Sequence, residues 1–437
     1  MTPQAPSHDA EPTEIRELRR HHLALAIVLG TSIGVLAVAF QSAVTWISAL
    51  QDIILSSDLS PTTSTLVILG MCVTGGGIAG LLAQRIAPEA GGSGIPHVKA
   101  ALAHSTSIRG LRIIFVKFIG GILVIGNRFS LGREGPTVHL GAALADEIGK
   151  ISKAPQHLRD HLIACGAGAG LAAAFNAPLA GFLFVIEELR REVNSITLGM
   201  ALLGTVLADS IVQLSRGNGP SLIAPGLEAP TMASIPIIIC IALAATGAGL
   251  LFNRILISGV RRTSATIPAW IRGASVGALV WCCVMYLPSA TDDVQSVFSA
   301  FLGNSLHSTS VQALCALFVV KLVLTVACYV TGVPGGIFAP MLVQGIFVGL
   351  VVGNLAALTP FAVPTPTVCA MLGMTAFFAA SVRAPFTGVV LLAEMTNGFQ
   401  LLLPLMAVAL IAYLLSELIG SKPIYERLME VSRDKRS

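Results

Sequence analysis

Apolar runs long enough to cross a lipid bilayer recur from one end of this chain to the other, among them Leu23–Trp46, Leu66–Leu82, Ile235–Leu251 and Val311–Val330. A hydrocarbon core about 30 Å thick is spanned by about 20 helical residues. Inside lipid every backbone N–H and C=O must be satisfied by the chain itself, which leaves helices or a closed barrel, and nothing here alternates with the period of a barrel strand. The expected fold class is an all-α polytopic membrane protein. Composition agrees, with 11% charged residues and a mean hydropathy of +0.80, against about 25% charged in soluble domains. A net charge of +4 offers no basic face for nucleic acid. The eight cysteines, Cys72, Cys165, Cys240, Cys282, Cys283, Cys315, Cys328 and Cys369, all fall in apolar runs without a C-x-x-C. They read as small buried hydrophobes, and no metal or cofactor is expected.

Residues 1–22 form a polar leader ending in Arg16, Arg19, Arg20, His21 and His22, directly before the first apolar run. By the positive-inside rule this end is cytoplasmic, as is the basic tail "KPIYERLMEVSRDKRS" of residues 422–437. A twin-arginine export signal cleaved after Ala37-Val38-Ala39 is the rival reading; the length of the run and the spans that follow argue against it.

The chain also resembles itself. Residues 166–189 align without a gap to 373–396, an offset of 207, with about a third of the positions identical, including Ala177/Ala384, Pro178/Pro385, Gly181/Gly388 and Glu187/Glu394. Upstream, Val116-Lys117 echoes Val320-Lys321, and Gly132-x-x-Gly135 echoes Gly332-x-x-Gly335. Repeats of this size mark transporters and channels built from two related halves, with the substrate site where the halves meet. The expected units are residues 23–214 and 237–420, joined by the Gly- and Pro-rich linker 215–236 and followed by a cytoplasmic tail, 421–437, that contains Tyr425. If each half crosses an odd number of times, the second is inverted.

Glycine and proline gather in "GGSGIP" (Gly91–Pro96), "GREGP" (Gly132–Pro136) and "GVPGGIFAP" (Gly332–Pro340), each beside an apolar helical segment. Broken helices of this kind line cavities, and their N-terminal ends present free N–H groups and a positive dipole end to an anion. Each cluster by itself also fits a kink or a packing notch.

Together "GSGIP", "GREGP" and "GIFAP", in this order and with the terminal "KPIY", resemble the signature of the ClC chloride channel and chloride/proton antiporter family over essentially the whole chain. The resemblance implies two inverted halves of tilted and broken helices, a homodimer with one anion pathway per subunit, and residence in the cell membrane. It implies that the Ser93 and Tyr425 hydroxyls hold a central anion with the N–H groups of Ile337 and Phe338, beside the helix start Gly94-Ile95-Pro96. The N–H groups near Glu134, Gly135 and Ala339 would hold the next anion outward, with Arg133 shaping the potential. Ile186 and Leu402 would lie on the dimer face. Nucleotide-binding regulatory domains after Tyr425 are not expected.

A carboxylate at the start of a broken helix is itself an anion that fits the cradle, so deprotonated Glu134 blocks the site and protonated Glu134 yields it to chloride. The bland alternative is a Glu134–Arg133 ion pair. Glu187 aligns with Glu394 and reads as scaffold, whereas Glu188 aligns with Met395 and Glu134 with Pro334, so these two carboxylates belong to one half only. By resemblance Glu188 is the inner proton-transfer residue; its bland alternative is an ion pair with Arg190 or Arg191. The expected function is therefore proton-coupled chloride antiport, not enzymatic, with a passive chloride channel as the runner-up. A fluoride-selective branch fits Ser93 and "GREGP" poorly, and a nitrate-preferring member would carry Pro at position 93. From another class, Ser93 and His97 could be read as a membrane-embedded hydrolase pair, though their spacing is equally a helix face and nothing supplies an oxyanion hole.

Overall fold

The computed structural model describes residues 13–190, 195–217, 219–224, 226–263, 266–303 and 310–434, which form helices and no strand. Residues 1–12 of the expected leader and 435–437 of the tail lie outside them. The first half contains α1 (Thr13–Ser56), α2 (Pro61–Arg85), α3 (Ile95–Leu102), α4 (Gly110–Gly126), α5 (Glu134–Ile151), α6 (Gln156–Phe175), α7 (Pro178–Phe184) and α8 (Ser195–Arg216). The second contains α9 (Ile235–Arg262), α10 (Ala269–Tyr286), α11 (Val294–Gly303), α12 (Val311–Val330), α13 (Phe338–Ala356), α14 (Pro366–Val382), α15 (Pro385–Thr396) and α16 (Leu402–Leu418), and α17 (Ile424–Asp434) follows. Eight of the described helices are long and apolar enough to cross a membrane. Helix α12 coincides with the run seen in the sequence, but α1 begins inside the expected leader and runs for 44 residues. The Glu-, Arg- and Leu-rich stretch before residue 22 consists of good helix formers and simply extends the span. Residues 217–231 between the halves carry no described helix.

The packing repeats with the chain. Helix α1 lies on α8 as α9 lies on α16, α5 on α6 as α13 on α14, and α4 on α5 as α12 on α13. In addition α2 packs along α10, α7 on α15 and α5 against α13, each helix on its own counterpart, as a two-fold axis between the halves requires. The direction of that axis can be read from close contacts. A Cβ on Gly76 would meet the carbonyl oxygen of Gly273 at 2.2 Å, one on Gly80 that of Ala269 at 2.4 Å, and one on Gly277 that of Cys72 at 2.2 Å. Numbers rise on one helix as they fall on the other, so α2 and α10 are antiparallel and the second half is inverted. Small residues let the backbones touch, as membrane helices require where lipid gives no hydrophobic drive.

The aligned carboxylates report the same symmetry. Glu187, in the wide turn Val185–Arg190 that follows α7, accepts the N–H groups of Phe386 (3.1 Å) and Thr387 (2.8 Å) at the start of α15. Glu394, near the end of α15, accepts those of Leu179 (2.9 Å) and Ala180 (2.8 Å) at the start of α7. Each caps the other's helix.

Two expectations need correcting. Gly132 pairs with Gly336, not Gly332: the two exchange both backbone hydrogen bonds, at 2.7 and 2.8 Å, and each lies two residues before its helix. The register there is an offset of 204, which places Phe338, not Pro334, opposite Glu134. The conclusion that Glu134 belongs to one half stands. The cysteines are all free, but only Cys72, Cys165, Cys283, Cys328 and Cys369 are buried; Cys240, Cys282 and Cys315 face outward. On a protein solvated by lipid, an outward position is as apolar as an inward one, so sequence cannot tell them apart.

Candidate functional site

The three glycine clusters, far apart in the chain, are tied to one another by backbone. Gly92 donates to the Val333 carbonyl and accepts from the Gly335 N–H, both at 3.0 Å, while Gly132 and Gly336 form the pair described above. Buried Lys117, on α4, reaches the carbonyls of Ala90 (2.8 Å) and Gly92 (2.5 Å), and its repeat counterpart Lys321 reaches that of Asp292 (2.7 Å). Each ammonium is thus spent on holding a loop, which makes its burial tolerable.

From this knot start α3, α5 and α13, with N-cap residues Gly94, Arg133 and Ile337, none of which caps its helix with a side chain. Helices α2, α12 and α14, by contrast, are capped by Ser60, Ser310 and Thr365. Gly94 has φ 90°, a left-handed conformation that glycine adopts without steric cost. Ile95 and Pro96 follow as the first helical residues of α3, and Pro there gives up no helical hydrogen bond. Phe338 and Ala339 open α13, with the Phe338 ring between Phe175 and Phe378 at centroid distances of 5.0 and 4.5 Å. The N–H groups of the first turn of an α-helix have no intrahelical acceptor, so the knot presents converging donors.

Around these donors stand polar atoms that also lack partners. Ser93 Oγ, Tyr425 Oη and Glu134 Oε2 are buried with no hydrogen-bond partner among the described residues. Leaving one such atom unpaired costs about 1–3 kcal/mol, so several together mark a site suited to a polar or anionic ligand. Ser93 and Gly135 are in tight register, since a Cβ at Gly135 would lie 2.5 Å from Ser93 Oγ. Gly132 has the same relation to Glu134, whose Oε2 would lie 2.1 Å from a Cβ there. The Glu134 carboxylate turns back onto its own helix start, toward the N–H groups of Glu134 and Ala339. It forms no ion pair with Arg133 among the described residues.

A cavity of about 280 Å³, lined by Arg133, Glu134 and Ala339, lies on one side of the knot. Another, of about 740 Å³ and lined by Gly94, His97 and Tyr329, lies on the other. The two share no lining residue, so the knot with Ser93 and Tyr425 separates them.

Glu188 lies in the same wide turn as Glu187 but points elsewhere. Its carboxylate is buried and meets Lys99 of α3 at 2.6 Å, and Lys99 lies 3.8 Å from Glu426, next to Tyr425. Lys99, from a distant helix, is a partner that the sequence did not suggest; Arg191 lies outside the described residues. Two site residues had no sequence signal. Lys99 reads as an ordinary helix-end cation, and Tyr329, whose hydroxyl accepts the Ser93 N–H at 3.5 Å, reads as one more aromatic in a span. Ile186, in the turn after α7, and Leu402, the first residue of α16, are half-buried and lie away from the knot.

Comparison with known proteins agrees with this architecture. The H(+)/Cl(-) exchange transporter ClcA of Vibrio parahaemolyticus is 34% identical over 93% of this chain and 89% of its own length. The protein of the same name from Salmonella paratyphi A is 35% identical over 93% and 88%. Among solved structures, a slow cyanobacterial Cl-/H+ antiporter superposes with a TM-score of 0.85 at 33% identity, covering 94% of this chain and 97% of that one. A family model described as voltage gated chloride channel matches residues 75–417. With its inverted halves, its three knotted helix starts and these relatives, the chain belongs to the voltage-gated chloride channel family.

Proposed function

We propose that this protein is a proton-coupled chloride antiporter. The observation that carries the reading is the knot itself: helix starts without N-cap side chains, two buried hydroxyls without hydrogen-bond partners among the described residues, and one buried carboxylate turned onto the helix starts, between two cavities that do not meet. Chloride at Ser93 and Tyr425, with the N–H groups of Ile337 and Phe338, would satisfy these donors without a fixed full charge, so it can also leave. Glu134 competes for the neighbouring N–H groups, ionised as a plug and protonated as an open gate. Glu188 is the inner proton residue of this reading. The relatives are named as exchangers of the same two ions.

Orientation follows from charge. The larger cavity is lined by Arg433 of the basic C-terminal segment, with Arg272 and Glu89, whereas the smaller mixes Arg128, Arg133 and Lys321 with Asp52, Glu134, Asp292 and Asp293. The positive-inside rule, applied to the basic tail that carries Arg433, assigns the larger cavity to the cytoplasm of a cell membrane. Arg433 of α17 contacts Ser105, and His104 lies 3.4 Å from Asp160, which neighbours His161 and, through it, His22. Both described chain ends therefore belong to that side. The homodimer, with Ile186 and Leu402 at its face, is part of the same proposal.

The test is purified protein in liposomes with chloride efflux and proton uptake recorded together. Uphill proton movement driven by a chloride gradient alone is expected; chloride flux without it would favour the passive channel.

A further inference from the structure

Opposite the Glu188 side of α3 lies a second titratable pair that the reading above does not use. His97 and Lys99 are two residues apart on α3, about 200° around the helix, so the lysine that holds Glu188 and the histidine face opposite ways. His97 lines the larger cavity. Its Nδ1 lies 3.0 Å from Nε2 of His139 on α5, with the rings edge to face. His139 is fully buried and its other nitrogen, Nδ1, has no hydrogen-bond partner among the described residues. That nitrogen lies 2.4 Å from where a Cβ on Gly94 would stand, so it abuts the N-cap of α3 in the heart of the knot. His139 and Glu134 share α5, five residues or about 7.5 Å apart along its axis.

We propose that His97 and His139 form an imidazole relay that carries protons from the larger cavity to the core beside Gly94, along the helix that bears Glu134. The inference rests on the exchange reading and deepens it. A neutral imidazole holds one proton and one lone pair on opposite edges of the ring, so two in series pass a proton without either storing a charge. His97 gains a proton at Nε2 and gives up the one on Nδ1; His139 receives it at Nε2 and releases its own from Nδ1. One proton enters, one leaves, and both rings end neutral with their tautomers exchanged. Return of the rings to the starting tautomer completes the cycle. The charged or titratable groups acting on His139 are Lys117 and His97. Glu134 is the terminal acceptor of the route, reached through water.

Glu188 has a constraint the relay lacks. Its carboxylate is already held by an ammonium at 2.6 Å, and protonating it breaks a buried ion pair. Two inner routes, one on each face of α3, then converge on Glu134.

The test uses liposomes containing the full chain as wild type, His97→Ala, His139→Gln, Glu188→Gln and the His97→Ala/Glu188→Gln pair. Chloride and pH are recorded together, and chloride flux reports that each variant folds. Each histidine variant should lower the proton-to-chloride ratio several-fold, and the pair should abolish proton movement. Imidazole added to the larger-cavity side should restore proton movement to His97→Ala, where a cavity replaces the ring, while a buffer of equal capacity and no imidazole should not. Histidine variants that keep the wild-type ratio, or a His97→Ala protein that imidazole does not rescue, would overturn the relay. Wild type that moves no protons uphill would instead overturn the exchange reading itself.

Discussion

Glu134 and Gly135 are adjacent, yet chemistry selects the first and space the second. In the exchange reading proposed above, the Glu134 carboxylate, turned toward the N–H groups at the start of α5 and α13, competes with an anion for them. Lower pH protonates it and frees the site, so wild-type chloride flux should rise as pH falls. Glu134→Gln keeps the size and removes the charge. Chloride flux in liposomes should persist without pH dependence, and coupled proton movement should fall to background; coupling retained in that variant would end the gate assignment. Gly135 lies in a helix, where alanine is ordinarily more stable by up to about 1 kcal/mol. Here an added Cβ would lie 2.5 Å from Ser93 Oγ and 2.9 Å from its carbonyl oxygen. Gly135→Ala should therefore lower chloride transport at least tenfold with no gain in melting temperature, and wild-type flux would show that Ser93 can move freely. The meeting of Ser93, Glu134 and Tyr425 at the knot was legible because their motifs carry both the residue and its setting. Tyr329 and Lys99 were not, since each gains its role from a partner more than 80 positions away.

At the level of helices, the molecule treats its N-termini in three ways. Those of α2, α12 and α14 receive Ser or Thr caps from their own chain neighbours, those of α7 and α15 receive each other's glutamate, and those of α3, α5 and α13 receive no cap from their N-cap side chains, with the Glu134 carboxylate alone turned toward the starts of α5 and α13. A carboxylate bound to backbone N–H groups at the positive end of a helix is worth about 1–2 kcal/mol. Glu394→Gln should therefore lower stability by about that amount, and Glu187→Gln by at least as much because it also loses the Thr387 hydroxyl at 2.8 Å. Thermal unfolding in detergent reads both; an unchanged melting temperature for either would mean that the reciprocal caps carry no weight. The α7/α15 match was legible because it contains no gap. The α5/α13 match was misread by four residues, since "GREGP" and "GIFAP" share only glycine and proline and the first glycine of "GVPGG" offered an equally good anchor. Backbone hydrogen bonds, which sequence does not display, decide between them.

For the whole molecule, the two related halves follow from the repeat and their inversion from the α2/α10 contacts, but assembly follows from neither, because lipid-facing and partner-facing surfaces have the same composition. Helices α7, α8, α15 and α16 leave an apolar face outward, with Leu179, Phe386, Leu403 and Leu410 all exposed. Water would drive such surfaces together, whereas lipid does not, so a dimer in the membrane depends on close fit between side chains. Ile186 and Leu402 are half-buried, and a bulkier side chain at both positions is the proposed way to spoil that fit. Ser93, Glu134, Ile337, Phe338 and Tyr425 lie within one chain, with the two cavities on either side of their knot, so a pathway confined to one subunit is the expectation to be tested. The double variant Ile186→Trp/Leu402→Trp should run as a monomer in detergent by light scattering and still exchange chloride for protons at the wild-type ratio in liposomes. A dimer in that experiment would move the interface to another face. A monomer with intact fold but no exchange would show that each pathway depends on its neighbour, against the complete set of donors that a single chain already supplies.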